Sequence, residues 1–229
     1  MLSFFIFDPL YLVLTAPALI FSIWAQYKVK STFKRYEQVG VASGMTGAQA
    51  AAAICRESGL ANIKIERHEG FLSDHYDPRS KTLRLSPGVH DGRSVSSVAV
   101  AAHEAGHSLQ DAEGYFPLVL RSQLVPLTQI GSSIWIIPFL AGVFFNMSGL
   151  MWLGILFFGT VVVFQLVTLP TEFNASNRAK AVLATTGIVS NQQEAVGVSK
   201  VLDAAAMTYV AALVASLMQL LYMVLRARD

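Results

Sequence analysis

The sequence predicts an α-rich membrane protein with about four transmembrane helices and a small α+β domain that carries an H-E-x-x-H motif on a helix. Three observations lead there. The 229 residues are 53% hydrophobic and only 14% charged, against about 25% charged in an ordinary soluble domain. Apolar runs long enough to approach a bilayer's thickness occur at 4–24, 124–145, 149–169 and 206–225. Between the first and second lies His103-Glu104-Ala105-Gly106-His107, whose histidines fall on one face of a helix because they are four residues apart.

The run at 4–24 lacks a basic leader, and no small-residue cleavage site follows it. It reads as a retained anchor rather than a cleaved signal. Lys28, Lys30, Lys34 and Arg35 follow directly, so the positive-inside rule assigns that end to the cytoplasm. Residues 36–115 form the polar domain. Thr46 is placed to cap a helix over Ala48–Ser58 that Gly59 closes. Asn62–Arg67 alternates as a strand does. Phe71–His75 and Thr82–Ser86 flank the turn signal Tyr76-Asp77-Pro78-Arg79, which predicts a hairpin. Leu83 and Leu85 alternate with Arg84, the pattern of a half-buried edge strand, which is either purely structural or open to pairing with an extended substrate. The motif helix is expected from about Ser94 to Ala112.

The apolar runs 124–145 and 149–169 are joined by a short segment at 146–149, so they should form an antiparallel hairpin. Residues 170–205 turn polar again, and Pro170 fits the first turn of a new helix. A final helix over 206–225 ends at Arg226 and Arg228. If it crosses fully, those arginines lie outside, against the charge rule. Either the first helix's bias dominates or the last helix stops short.

The motif brings two imidazoles and a carboxylate to one helix, which is what a Zn²⁺ ion and an adjacent activated water require. A catalytic zinc takes a third protein ligand. Glu172 is the leading candidate, because it opens the polar stretch just after an apolar run. Glu113 is too close in sequence to fold back from the motif helix, while Glu194 and Asp203 remain open. For stabilising an oxyanion the candidates are Tyr209, Arg178 and His75. Net charge is only +2 and no basic stripe appears, so no nucleic-acid partner is expected. The one cysteine, Cys55, excludes an intramolecular disulfide and reads as a small core residue.

Taken together, His103–His107 and the block Glu172-Phe173-Asn174-Ala175-Ser176 resemble the gluzincins, in which a downstream helical glutamate is the third zinc ligand. The second block is similar to the E-F-x-A-D block of HtpX-like and CAAX prenyl proteases. Over nearly its whole length the chain resembles the YugP-like neutral zinc metallopeptidases of bacterial membranes. The match is carried by Ser73–Pro78, Leu83–Ser86, Ala102–His107 and Leu169–Ser176. The resemblance implies a metallopeptidase domain over 36–115, with Zn²⁺ held by His103, His107 and Glu172 and with Glu104 as general base. It also implies protein or peptide substrates, contact with membrane lipid, and a bacterial plasma membrane. Ser176 stands where the wider group has an aspartate that steadies a zinc-bound histidine, so Ser176, Asn177 or a backbone carbonyl must take that role.

Three other readings are weaker. A metal transporter needs polar ligands on several spans, and these spans carry almost none. A non-catalytic scaffold has no use for Glu104. An FtsH-like protease needs a G-x-x-x-x-G-K-[ST] loop, which is lacking. The serines, Gln110 and Asp111 make the motif helix too polar to cross a bilayer, unlike that of an intramembrane site-2-type protease.

Overall fold

A computed structural model describes residues 8–228. Residues 4–7 of the expected first span lie outside the described residues. In chain order the elements are α1 (Pro9–Glu37), α2 (Gly47–Glu57), β1 (Lys64–Arg67), β2 (His75–Asp77), β3 (Thr82–Leu85), α3 (Pro87–His90), α4 (Val95–Ala112), α5 (Phe116–Ile134), α6 (Ile136–Phe145), α7 (Ser148–Thr185) and α8 (Gln192–Arg228). They form two compact units. One comprises Met1–Gln26, Val119–Pro170 and Thr208–Asp229, and the other Tyr27–Leu118 and Thr171–Met207. Among the described residues, four segments are long and apolar enough to cross a membrane: α1, the α5–α6 pair, α7 and α8.

In the second unit, α2 starts where the sequence says it should. The Thr46 hydroxyl accepts the Gln49 amide and the Gln49 side chain accepts the Thr46 amide, a complete capping box. Gly59, at φ +75°, ends the helix in the left-handed conformation. Ser94 caps α4 by accepting the Ser97 amide. α4 is buried on nearly every side from Val95 to Gln110, as expected of a helix at the centre of a core. Ile54 and Cys55 of α2, Leu83 and Leu85 of β3, and Ala179, Leu183 and Leu202 of α7 and α8 belong to that core. Cys55 is a free, buried thiol 3.7 Å from the Ser108 hydroxyl, and burial pushes its pKa up.

The sheet departs from the sequence expectation in two ways. The hairpin exists, but His75, Tyr76 and Asp77 are strand and pair with Arg84, Leu83 and Thr82. Asp77 closes the turn by accepting the Arg79 amide and the Ser80 hydroxyl, so the turn starts one residue after the Asp that signals it. β3 is also not an edge strand. The order is β1-β3-β2, with β1 parallel and β2 antiparallel to β3. Alternation reports which face of a strand is buried and says nothing about how many neighbours it has. Both edges of β3 are taken, which removes it as a strand for pairing with substrate.

In the first unit, α6 and α7 form an antiparallel hairpin turned by Asn146 in the left-handed conformation. The helices touch closely at two glycines. A Cβ on Gly142 would lie 2.6 Å from Met151, and one on Gly154 would lie 2.7 Å from Phe139. Small residues allow this approach where lipid supplies no hydrophobic drive between helices. The break between α5 and α6 falls just before Pro138, which cannot donate to the Ile134 carbonyl. Pro170 does not begin a helix, because α7 runs through it for 38 residues. Near the C-terminal end of α8, the Tyr222 hydroxyl donates to Asp8 at 2.9 Å and its ring meets Tyr11 edge-on. α8 therefore returns to the start of α1.

Candidate metal centre

α4 and α7 build the site. His103 and His107 project from one face of α4, their rings edge to face with centroids 4.8 Å apart. The N-terminal turn of α7's polar portion brings in Glu172, which is 1% exposed. Its Oε2 lies 3.1 Å from His103 Nε2 and 3.5 Å from His107 Nε2. The three donor atoms lie within 4.8 Å of one another, a spread that one ion can draw together. Two imidazole nitrogens and a carboxylate oxygen are a donor set for zinc. Glu104 is buried beside them at 8% exposure.

The approach of the two helices depends on Gly106. A Cβ there would lie 2.7 Å from the Ala175 carbonyl oxygen, so a residue with no side chain is needed where α7 crosses α4. The glycine thus serves the packing of the two helices.

The outer nitrogens of both histidines are engaged. The Ser176 hydroxyl lies 3.2 Å from His103 Nδ1, so Ser176 supplies the contact for which the sequence left several candidates. Gln110 Oε1 lies 2.9 Å from His107 Nδ1, and Gln110 Nε2 donates to the Thr171 carbonyl and to Asn174 Oδ1, both at 2.9 Å. Sequence reasoning missed Gln110 and Asn174. The available signal was spacing: Gln110 follows His107 by three residues, on the same helix face.

The other carboxylates considered as ligands are occupied elsewhere. Glu194 accepts the Ala42 and Ser190 amides at 2.8 and 3.1 Å. Asp203 pairs with Lys180. Glu113 receives a two-pronged bond from Arg178, both arms 2.7 Å. Each of that pair favours the other's charged form, holding the Glu113 carboxyl down and the Arg178 guanidinium up. Arg178 also donates Nε to Asn174 Oδ1 at 2.7 Å. His75 sits exposed on β2, bonded to the Ser73 carbonyl and edge-on to His68. Tyr209 belongs to the other unit, on α8.

A helix-borne H-E-x-x-H pair joined by a glutamate from a second helix, in a chain whose described residues include four segments long and apolar enough to cross a bilayer, defines a membrane-associated zinc peptidase. A family model described as "Putative neutral zinc metallopeptidase" matches residues 11–228, and the chain belongs to that family. It is also 47% identical over 216 residues to the "Putative membrane protease YugP" of Bacillus subtilis (strain 168), covering 94% of this chain and 96% of that protein. No solved structure matches the chain. The protein is a zinc-dependent peptide hydrolase of the membrane.

Proposed function

We propose that this protein is an endopeptidase that cleaves membrane or membrane-proximal proteins at the cytoplasmic face. In this reading His103, His107 and Glu172 hold the zinc ion and Glu104 is the general base. The observation that carries it is the buried donor triad within 4.8 Å, with Glu104 one residue from the first histidine. Zinc, when bound, supplies a Lewis acid that acidifies water and polarises a peptide carbonyl. Glu104 takes the proton of the attacking water and passes it to the departing amine, so its carboxylate is regenerated with each turnover. Burial strengthens both functions, because charge interactions in a water-poor site are weakly screened.

Orientation follows from charge. Lys28, Lys30, Lys34 and Arg35 directly follow the first apolar run, which favours a cytoplasmic second unit. Four crossings then put both termini outside, and the Tyr222–Asp8 bond supports a last helix that spans as far as the first. The bias of the first helix then outweighs the C-terminal arginines.

The test uses full-length protein in detergent, with zinc stoichiometry and casein cleavage as readouts. Glu104→Gln should keep one zinc per chain and lower the cleavage rate by about 10²–10⁴-fold. Glu172→Ala should lose the metal. Cleavage unchanged by Glu104→Gln would sink the mechanism, and full zinc occupancy after Glu172→Ala would sink the ligand set.

A further inference from the structure

Gln110 is held more tightly than a buried glutamine needs to be. Both of its amide hydrogens are committed, one to the Thr171 carbonyl and one to Asn174 Oδ1. In a carboxamide, fixing the nitrogen also fixes the oxygen on the opposite side of the same carbon. Oε1 must therefore face His107 Nδ1, 2.9 Å away. An acceptor there requires the hydrogen on Nδ1 and leaves the lone pair on Nε2, which is the nitrogen facing Glu172.

The constraint extends one residue further. Asn174 Oδ1 accepts from Gln110 and also from Arg178 Nε, so Asn174 is fixed as the acceptor. The Arg178 guanidinium is in turn gripped by both oxygens of Glu113. His107 and Gln110 follow one stripe of α4, with Glu113 at its C-cap, and Thr171, Asn174 and Arg178 follow one stripe of α7, so the chain of bonds joins the two helices.

We propose that Gln110, fixed by Asn174 and Arg178, is a positioning residue for zinc binding that sets the tautomer and ring orientation of His107 when α7 docks on α4. The docking that delivers Glu172 as a ligand thereby also prepares His107 as one. Arg178, which the sequence offered as an oxyanion donor, acts here through Asn174 and Gln110. The proposal rests on the assignment of His103, His107 and Glu172 as the zinc ligands.

The experiment measures Zn²⁺ affinity by competition with a chromogenic chelator, the visible spectrum of the Co²⁺-loaded protein, and melting of the metal-free protein. Gln110→Leu should weaken zinc binding about 10–100-fold and shift the Co²⁺ bands. Asn174→Leu should do the same, while Asn174→Asp, which still accepts from Gln110 and Arg178, should restore affinity and spectrum. The Asn174 pair carries the test if Gln110→Leu does not fold. Wild-type affinity and an unchanged Co²⁺ spectrum in Gln110→Leu or Asn174→Leu overturn the proposal, as does an equal loss in Asn174→Leu and Asn174→Asp. Glu172→Ala separates the two ideas. If it loses zinc while the Gln110 variant keeps it, only the positioning role is wrong. If it keeps zinc, the ligand assignment itself is wrong.

Discussion

Gly106 of the motif helix lies against the backbone of Ala175, so close that a Cβ would stand 2.7 Å from the Ala175 carbonyl oxygen. The contact falls between the two histidines in sequence and one turn beyond Glu172, so the spacing of α4 and α7 at this point sets the distance from His103 to Glu172.

Gly106→Ala should therefore damage the site through packing. The added methyl must push α7 away from α4, at about 1–3 kcal/mol by the usual cost of overfilling a core. Zinc affinity should fall along with thermal stability, although alanine is the better helix former. A variant that melts higher than wild type and keeps its zinc affinity would refute the close-approach account.

Metal removal should destabilise the folded protein. His103 and Glu172 are 69 residues apart in sequence, so the donor set exists only in the native state. Zinc held a hundredfold above its dissociation constant adds about 2.7 kcal/mol. Melting in detergent should drop on chelation and recover on adding zinc back. A melting temperature indifferent to chelation would count against a site built at the α4–α7 crossing.

Glu194 was a rival third ligand and gives the contrasting case. Both oxygens hold backbone amides, so Glu194→Ala removes two part-buried hydrogen bonds, worth about 1 kcal/mol each. The variant should be less stable and still bind one zinc. Loss of zinc at unchanged stability would reverse the assignment.

Asp74 makes stability depend on pH. Burial pushes its carboxyl above the ordinary range, against the pull of the Ser86 amide and hydroxyl. The folded state then keeps this proton longer than the unfolded state does. This group's contribution should fall as pH rises from about 3.9 through the raised value, and stay lost above it. Asp74→Asn keeps an acceptor for Ser86 and should flatten that part of the melting profile. Parallel profiles for the two proteins would show that Asp74 is not responsible.

The Tyr222–Asp8 bond predicts that both termini label from the same side of the membrane. Single cysteines placed at the two ends, in a Cys55→Ser background, should react together with a membrane-impermeant maleimide on intact cells. Labelling at one end only would rule out four full crossings.

The sequence by itself determined whatever local periodicity and short motifs can encode. The His103–His107 pair is legible because four residues make about one helical turn. The cap at Thr46 and the stop at Gly59 are legible for the same local reason, as are the apolar lengths of the helices. Glu172 was readable from its setting just beyond an apolar run and from the resemblance of its block. Tertiary structure decided what depends on residues far apart in the chain. It put β3 in the centre of the sheet, because a strand's own pattern shows its buried face but not its neighbours. It carried α7 straight through Pro170, which the local sequence alone reads as the first turn of a new helix. It also assigned Ser176 to His103 and Gln110 to His107, the latter held by contacts from 61 and 64 residues away. The H-E-x-x-H spacing fixes which side chains can meet a metal, and the packing of α7 on α4 fixes which way their rings are held.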